Sequence, residues 1–232
     1  MISPFEIHHT STVTFCHRIN FGHLCYNKAT NSKKGLRLMP KATFNNLPPE
    51  KKIVVRNVLL KIFSDKPISQ VKVSEIVETL QMSRGIFYKY FEDLNDAYDY
   101  LIHDSANKVH GRILRKIGKH QQDFFKGLEL FLVEALEYGK DSEEYKELQL
   151  LIQNSYLFSY RSEDPHGAAA WKKVLTANKF RIESQKEADS FLYFSMKLVI
   201  DSLTDAYANQ WTSNELLTDF AFKVKWLKQG IQ

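Results

Sequence analysis

VSEIVETLQMSRGIFYKYF, residues 73–91, reads as a two-turn helix, a tight turn and a second short helix. Val73, Ile76, Val77 and Leu80 recur at i, i+3, i+4 and i+7, which makes one apolar stripe. Gln81 and Met82 break the pattern, and Ser83 stands where a side-chain oxygen caps the open N–H groups of a new helix. Phe87 and Phe91 then fall four apart and point inward, leaving Arg84, Tyr88 and Lys89 on the opposite face. Gly85 beside them leaves room for a phosphate backbone to approach. This is the layout of a helix-turn-helix, a three-helix unit that lays its last helix in the DNA major groove.

The neighbouring residues extend the pattern. Pro48, Pro49 and Glu50 mark a helix start, and Val55, Val58, Leu59, Ile62 and Phe63 give it a stripe at helical spacing. Residues 64–71, with Asp65, Lys66 and Pro67, read as a loop. Asp93, with Asp96 three residues on, caps a long helix expected over about 94–117.

Residues 53–103 resemble the DNA-binding segment of the tetracycline-repressor (TetR) family. Val73, Ile76, Ser83, Gly85, Tyr88, Tyr90 and Phe91 match the family's motif, and Val54–Phe63 supplies its preceding helix. The resemblance implies an all-α protein: an N-terminal helix-turn-helix domain of three helices, then a helical ligand-binding and dimerisation domain. The corresponding boundaries are a flexible extension over 1–41, a DNA-binding domain over 42–103 and an effector and dimer domain over 104–232. Three positions depart from the family pattern. Gln81 stands where a turn glycine is usual, Leu94 where a phosphate-binding lysine is usual, and Ile86 where a small polar residue is usual. Lys72 or Asn95 is positioned to replace the lost phosphate contact.

The remaining chain reads as helix, with breaks near Gly139 and across residues 162–167. Helices are expected over a Phe124–Leu136 stripe, from about 141, over 168–177, and over about 185–209 and 213–230. Of the last two, the first carries Phe194, Ile200 and Tyr207 off its main stripe, so it needs cover on more than one side. One reading makes both central helices of a monomer. The resemblance favours the other, a homodimer seam through residues 185–230.

Charge is informative only once located. The net charge of +5 resides in residues 1–47, which hold six basic residues and one acid and leave 26 of each over 48–232. Global charge therefore says little about nucleic acid; the placement of Lys51, Lys52, Arg56, Lys72, Arg84 and Lys89 on one small domain says more. The first segment also holds both cysteines, Cys16 and Cys25, and His8, His9, His17 and His23, at no zinc-finger spacing, so no metal site is expected there. Met39 offers a second translation start. No secretory signal is expected, nor any membrane span. No P-loop, G-x-S-x-G or H-E-x-x-H motif is present, so neither an enzyme nor a cofactor is expected.

The DNA-binding residues expected are Lys72, Ser83, Arg84, Gly85, Ile86, Tyr88, Lys89 and Tyr90. Lys89, Tyr88 and Tyr90 suit phosphates, and Arg84 and Ile86 suit base edges and thymine methyls. Phe131, Gln153, Tyr156, Tyr160 and Trp171 are candidates for a small-molecule effector site, with core packing as the rival reading. The expected function is that of a cytoplasmic regulator of transcription, a repressor on a pseudo-palindromic operator in double-stranded DNA. The alternative is a helical interaction protein that keeps the fold without specific DNA binding.

Overall fold

The computed structural model describes residues 14–16, 26–29, 37–120, 123–154 and 165–229. Three short strands, β1 (Thr14–Cys16), β2 (Tyr26–Ala29) and β3 (Arg37–Met39), pair antiparallel in that order. Thr14 lies opposite Ala29, and Asn27 opposite Leu38. Strands of three or four residues are too short for a legible period-two pattern, and none was expected in this segment. From Pro40 onward the described chain is helical, as the all-α expectation required.

The helix-turn-helix unit is built from α1 (Ala42–Asn45), α2 (Pro49–Asp65), α3 (Val73–Thr79) and α4 (Arg84–Tyr90). A single 3₁₀ turn, Ile68–Gln70, lies in the loop between α2 and α3. Helix α2 starts on its two prolines and buries Val55, Leu59, Leu60, Ile62 and Phe63. The short α1 was not legible, because four residues show no periodicity. Its one buried side chain, Phe44, is nonetheless a keystone. The ring meets those of Tyr90, Phe91 and Tyr100 at centroid distances of 5.8, 5.1 and 4.9 Å, binding α1 to α4 and to the following helix. Edge and tilted aromatic pairs of this kind contribute about 0.5–1.5 kcal/mol each beyond the area they bury.

The long helix α5 (Leu94–Lys119) leaves this unit and becomes the spine of the second. Asp93 accepts from the Asp96 N–H at 2.9 Å, and Asp96 accepts from the Glu92 N–H at 2.6 Å. Asp93 thus caps the helix as its spacing to Asp96 predicts, while the returning bond from Asp96 reaches the N–H one residue before the cap. Ile102, Val109, Ile113 and Ile117 of α5 are buried. Helix α6 (Phe124–Leu136) packs closely on α5 through Gly127. A Cβ there would meet the Ile117 Cα at 2.5 Å, so only glycine permits this approach.

Helix α7 (Glu143–Gln153) starts on Ser142, whose hydroxyl accepts from the Tyr145 N–H at 3.1 Å. Then follow α8 (Pro165–Ala177), α9 (Gln185–Asn209) and α10 (Ser213–Gln229), the last two at nearly the expected bounds. Helix α9 packs on α6, α7, α8 and α10. It turns Ala188, Leu192, Met196, Val199, Leu203 and Ala206 into the core. On α10 the buried residues are Leu216, Phe220 and Val224. Among the described residues, no helix is long and apolar enough to cross a membrane.

Candidate nucleic-acid interface

The turn between α3 and α4 holds the unit's geometry. The Met82 N–H donates to the Val77 carbonyl at 2.9 Å, and the Gln81 N–H donates to the Glu78 carbonyl at 3.1 Å. This pair of bonds closes a helix end when the residue between adopts the left-handed conformation. Gln81 does so, with φ 50°. The turn therefore keeps the shape that glycine favours and bears the strain of a side chain, of order 1–2 kcal/mol. Met82 packs its side chain against the core. At the next position the Ser83 hydroxyl accepts from the Ile86 N–H at 3.3 Å, capping α4 as its sequence position indicates.

Helix α4 then presents two unlike faces. Phe87 and the adjoining Phe91 are fully buried, with ring centroids 5.5 Å apart. Outward stand Arg84, Gly85, Lys89, Ile86 at 37% exposure and Tyr88 at 48%. Lys72, at the N-cap of α3, is exposed as well. Arg84, Lys89 and Lys72 make no ion pair among the described residues. Gly85 has no internal reason to be glycine: its φ is not left-handed, and an added Cβ would meet only the Ser83 Oγ, at an ordinary 3.7 Å. An exposed helix position without a side chain costs about 1 kcal/mol relative to alanine. Space left open at that cost suits the close approach of an external backbone.

Tyr90 sits differently from its neighbours. Its ring is half-buried on Phe44, and its carbonyl accepts from the Lys41 N–H at 3.0 Å. The Lys41 ammonium donates to the Tyr88 carbonyl at 2.8 Å and pairs with Glu92 at 3.0 Å. Lys41 thus closes the carbonyl end of α4. Isolated from any periodic run, Lys41 carries no sequence signal for this role, and it stands at the boundary of the extension expected over 1–41. Leu94, at the first position of α5, is half-buried against the core. Asn95 beside it is exposed.

One of the basic residues grouped on this domain faces elsewhere. Arg56 is 3% exposed. Its Nε donates to Asp104 Oδ2 at 2.5 Å and its Nη1 to Glu143 at 3.0 Å, while Nη2 pairs with Glu147. Burial opposes its charge, but the three carboxylates more than offset that, and its pKa is raised. Spacing alone cannot separate an outward from an inward arginine on a helix half of whose positions are apolar. Lys51 is exposed and Lys52 half-buried.

Three of the five candidate effector residues lie among the described residues. Phe131 and Trp171 are closed into the core, and the Trp171 indole N–H donates to the Ala188 carbonyl at 2.7 Å. Gln153 is exposed at the end of α7. Tyr156 and Tyr160 lie outside the described residues, as do Cys25, His8, His9, His17 and His23. Among the described residues no cluster of metal-ligating side chains occurs.

The comparisons with known proteins agree with this architecture. No curated protein matches the chain at a significant level. A TetR-family transcriptional regulator from Pectobacterium atrosepticum superposes with a TM-score of 0.51 at 13% identity, covering 82% of this chain and 96% of its own, which supports the fold. A second, from Chloroflexus aurantiacus J-10-FL, is 21% identical over 82% of this chain and 91% of its own, with a TM-score of 0.43. Residues 123–231 match the family model for a tetracyclin repressor-like C-terminal domain. A repressor-like C-terminal domain thus follows a helix-turn-helix unit, the order of domains that the resemblance of residues 53–103 implies.

Proposed function

We propose that the protein is a cytoplasmic, sequence-specific DNA-binding regulator that acts as a homodimer, a repressor released from its operator by a small-molecule effector. The observation that carries this reading is the outward face of α4. It combines cations left without an ion pair among the described residues, an exposed aromatic ring and a glycine that the protein itself does not need. Lys89, Tyr88 and Lys72 serve phosphates, and Tyr90 contributes from the end of the helix. Arg84 and Ile86 read base edges, and Ser83 and Gly85 set the approach. Residues 42–103 act as the DNA-binding domain and 104–232 as the effector and dimer domain.

The last two helices support the homodimer. Phe194 on α9 and Phe222, Trp226 and Leu227 on α10 are large apolar residues 43–53% exposed. Exposed apolar groups concentrated on two adjacent helices suit an isologous seam. Two recognition helices entering successive major grooves require half-sites about one turn apart, roughly 34–36 Å, hence a pseudo-palindrome. An effector in the second domain would act by shifting that spacing, and by linkage DNA and effector would weaken each other's binding equally.

Selection of genomic fragments by the purified protein, with Tyr88→Ala/Lys89→Ala as control, tests the reading. Enrichment of a pseudo-palindrome by the wild type alone supports it. A folded wild type that enriches nothing overturns it and leaves a helical interaction protein.

A further inference from the structure

Four charged residues of α5, Asp104, Lys108, Arg112 and Lys116, follow one another at intervals of four and so lie along one stripe of the helix. Solvent is the ordinary destination of such a stripe. Here it is met by charges from three other helices. Asp104 takes Arg56 of α2; Lys108 stands 3.5 Å from Glu147 and 3.8 Å from Glu143 of α7; Arg112 donates to Glu147 at 2.6 Å; Lys116 pairs with Glu134 of α6. At the centre Glu147 is 1% exposed, with one oxygen on Arg56 and the other on Arg112.

We propose that Glu147 is a positioning residue that sets the angle between the DNA-binding helices and the second domain. Its carboxylate seats guanidinium groups from two helices, α2 and α5, and is itself carried by a third, α7. Apolar contacts between helices tolerate sliding, whereas the hydrogen bonds of a buried guanidinium–carboxylate pair are short and directional, so they specify one register. The cluster is also divisible. If α7 slides away from α2, Arg56 keeps Asp104, and Glu147 keeps Arg112 and Lys108. Neither side is left with a lone buried charge, whose cost would otherwise make the contact permanent. It therefore behaves as a latch between two helix arrangements, the kind of element through which shear motions are relayed. This adds a regulatory role to the DNA-binding reading but does not need DNA for its test.

Spin labels on Glu78→Cys of α3 and Lys140→Cys beyond α6, with Cys16 and Cys25 replaced by serine, report the angle as an intrachain distance in the full chain diluted with unlabelled protein. The parent should give one narrow distribution. Glu147→Gln should broaden it at least twofold or add a second population. Arg56→Met/Glu147→Met leaves three acids facing three bases in the cluster, so it should stay folded, and it should broaden the distribution likewise. Parent-like widths in the folded double variant would overturn the proposal and leave the cluster a static packing feature. A parent that gives the narrow distribution but binds no DNA would count against the DNA reading of α4 instead.

Discussion

The Lys41 ammonium donates to the Tyr88 carbonyl at 2.8 Å across 47 positions of sequence, closing the end of α4 with a residue that precedes α1. The last carbonyls of a helix have no partner within it, and a cation there also meets the negative end of the helix dipole. The same lysine neutralises Glu92, and its charge partly offsets the burial that raises the pKa of Asp96. Lys41→Met should lower stability by about 0.5–1.5 kcal/mol, the net value of one such hydrogen bond. Deleting residues 1–38 keeps Lys41 and Phe44, so folding and dimerisation should survive. Urea unfolding and sedimentation check both; a truncated chain that fails to fold would show that the extension supports the core.

Gln81 holds a left-handed backbone in the turn before α4. Gln81→Gly relieves a strain of about 1–2 kcal/mol and gives part of it back as unfolded-state entropy. A net gain of about 0.5–1 kcal/mol in stability, read as a higher urea midpoint, is expected. An unchanged or lower midpoint would mean that the Gln81 side chain contributes contacts that outweigh the strain.

Gly85→Ala separates stability from binding. The alanine meets nothing closer than 3.7 Å and favours helix, so stability should rise by up to about 1 kcal/mol. Affinity for the selected operator should fall at the same time, because the methyl group occupies the space that a backbone would use. If stability rises and affinity holds, the DNA does not approach at Gly85.

Lys89 and Arg84 should fail differently. Lys89→Ala should weaken binding to all duplexes and flatten the salt dependence by about one counterion. Arg84→Ala should relax sequence preference, at about 1–3 kcal/mol of discrimination. Titrations of operator and random duplex over a salt series distinguish the two. An unchanged salt slope removes Lys89 from the phosphate contacts.

Asp96 is 1% exposed and leaves its Oδ1 without a hydrogen-bond partner. Burial raises its pKa above the ordinary 3.8, against the lowering effect of the Glu92 N–H. A raised folded-state value favours the protonated form, so this contribution to stability is complete below the unfolded-state pKa and is lost as pH rises through the folded-state value. Asp96→Asn cannot ionise. Wild-type stability minus that of Asp96→Asn should therefore fall as pH climbs from below about 3.9 and then level off. A difference that rises with pH would show that the carboxylate is stabilised in place.

Local structure could be read from the sequence wherever the physics is local. Ser83 and Asp93 cap helices because each is a short polar side chain just ahead of an apolar stripe. Phe87 and Phe91 are buried because four-residue spacing puts both on one face. Gln81 marked the break between two helices, but its left-handed backbone is a finding of the structure. Tertiary structure alone decided which charges face water. Arg56 and Lys89 are both basic residues on helices of the same unit, and nothing beside Arg56 in the chain announces Asp104, Glu143 and Glu147. An ion pair is set by which helices meet, and that depends on packing between residues as many as 91 positions apart. The same holds for Lys41 and Phe44, whose partners lie across the unit in α4 and α5. Periodicity reports the face a helix buries, but the neighbour that covers it is chosen by the fold.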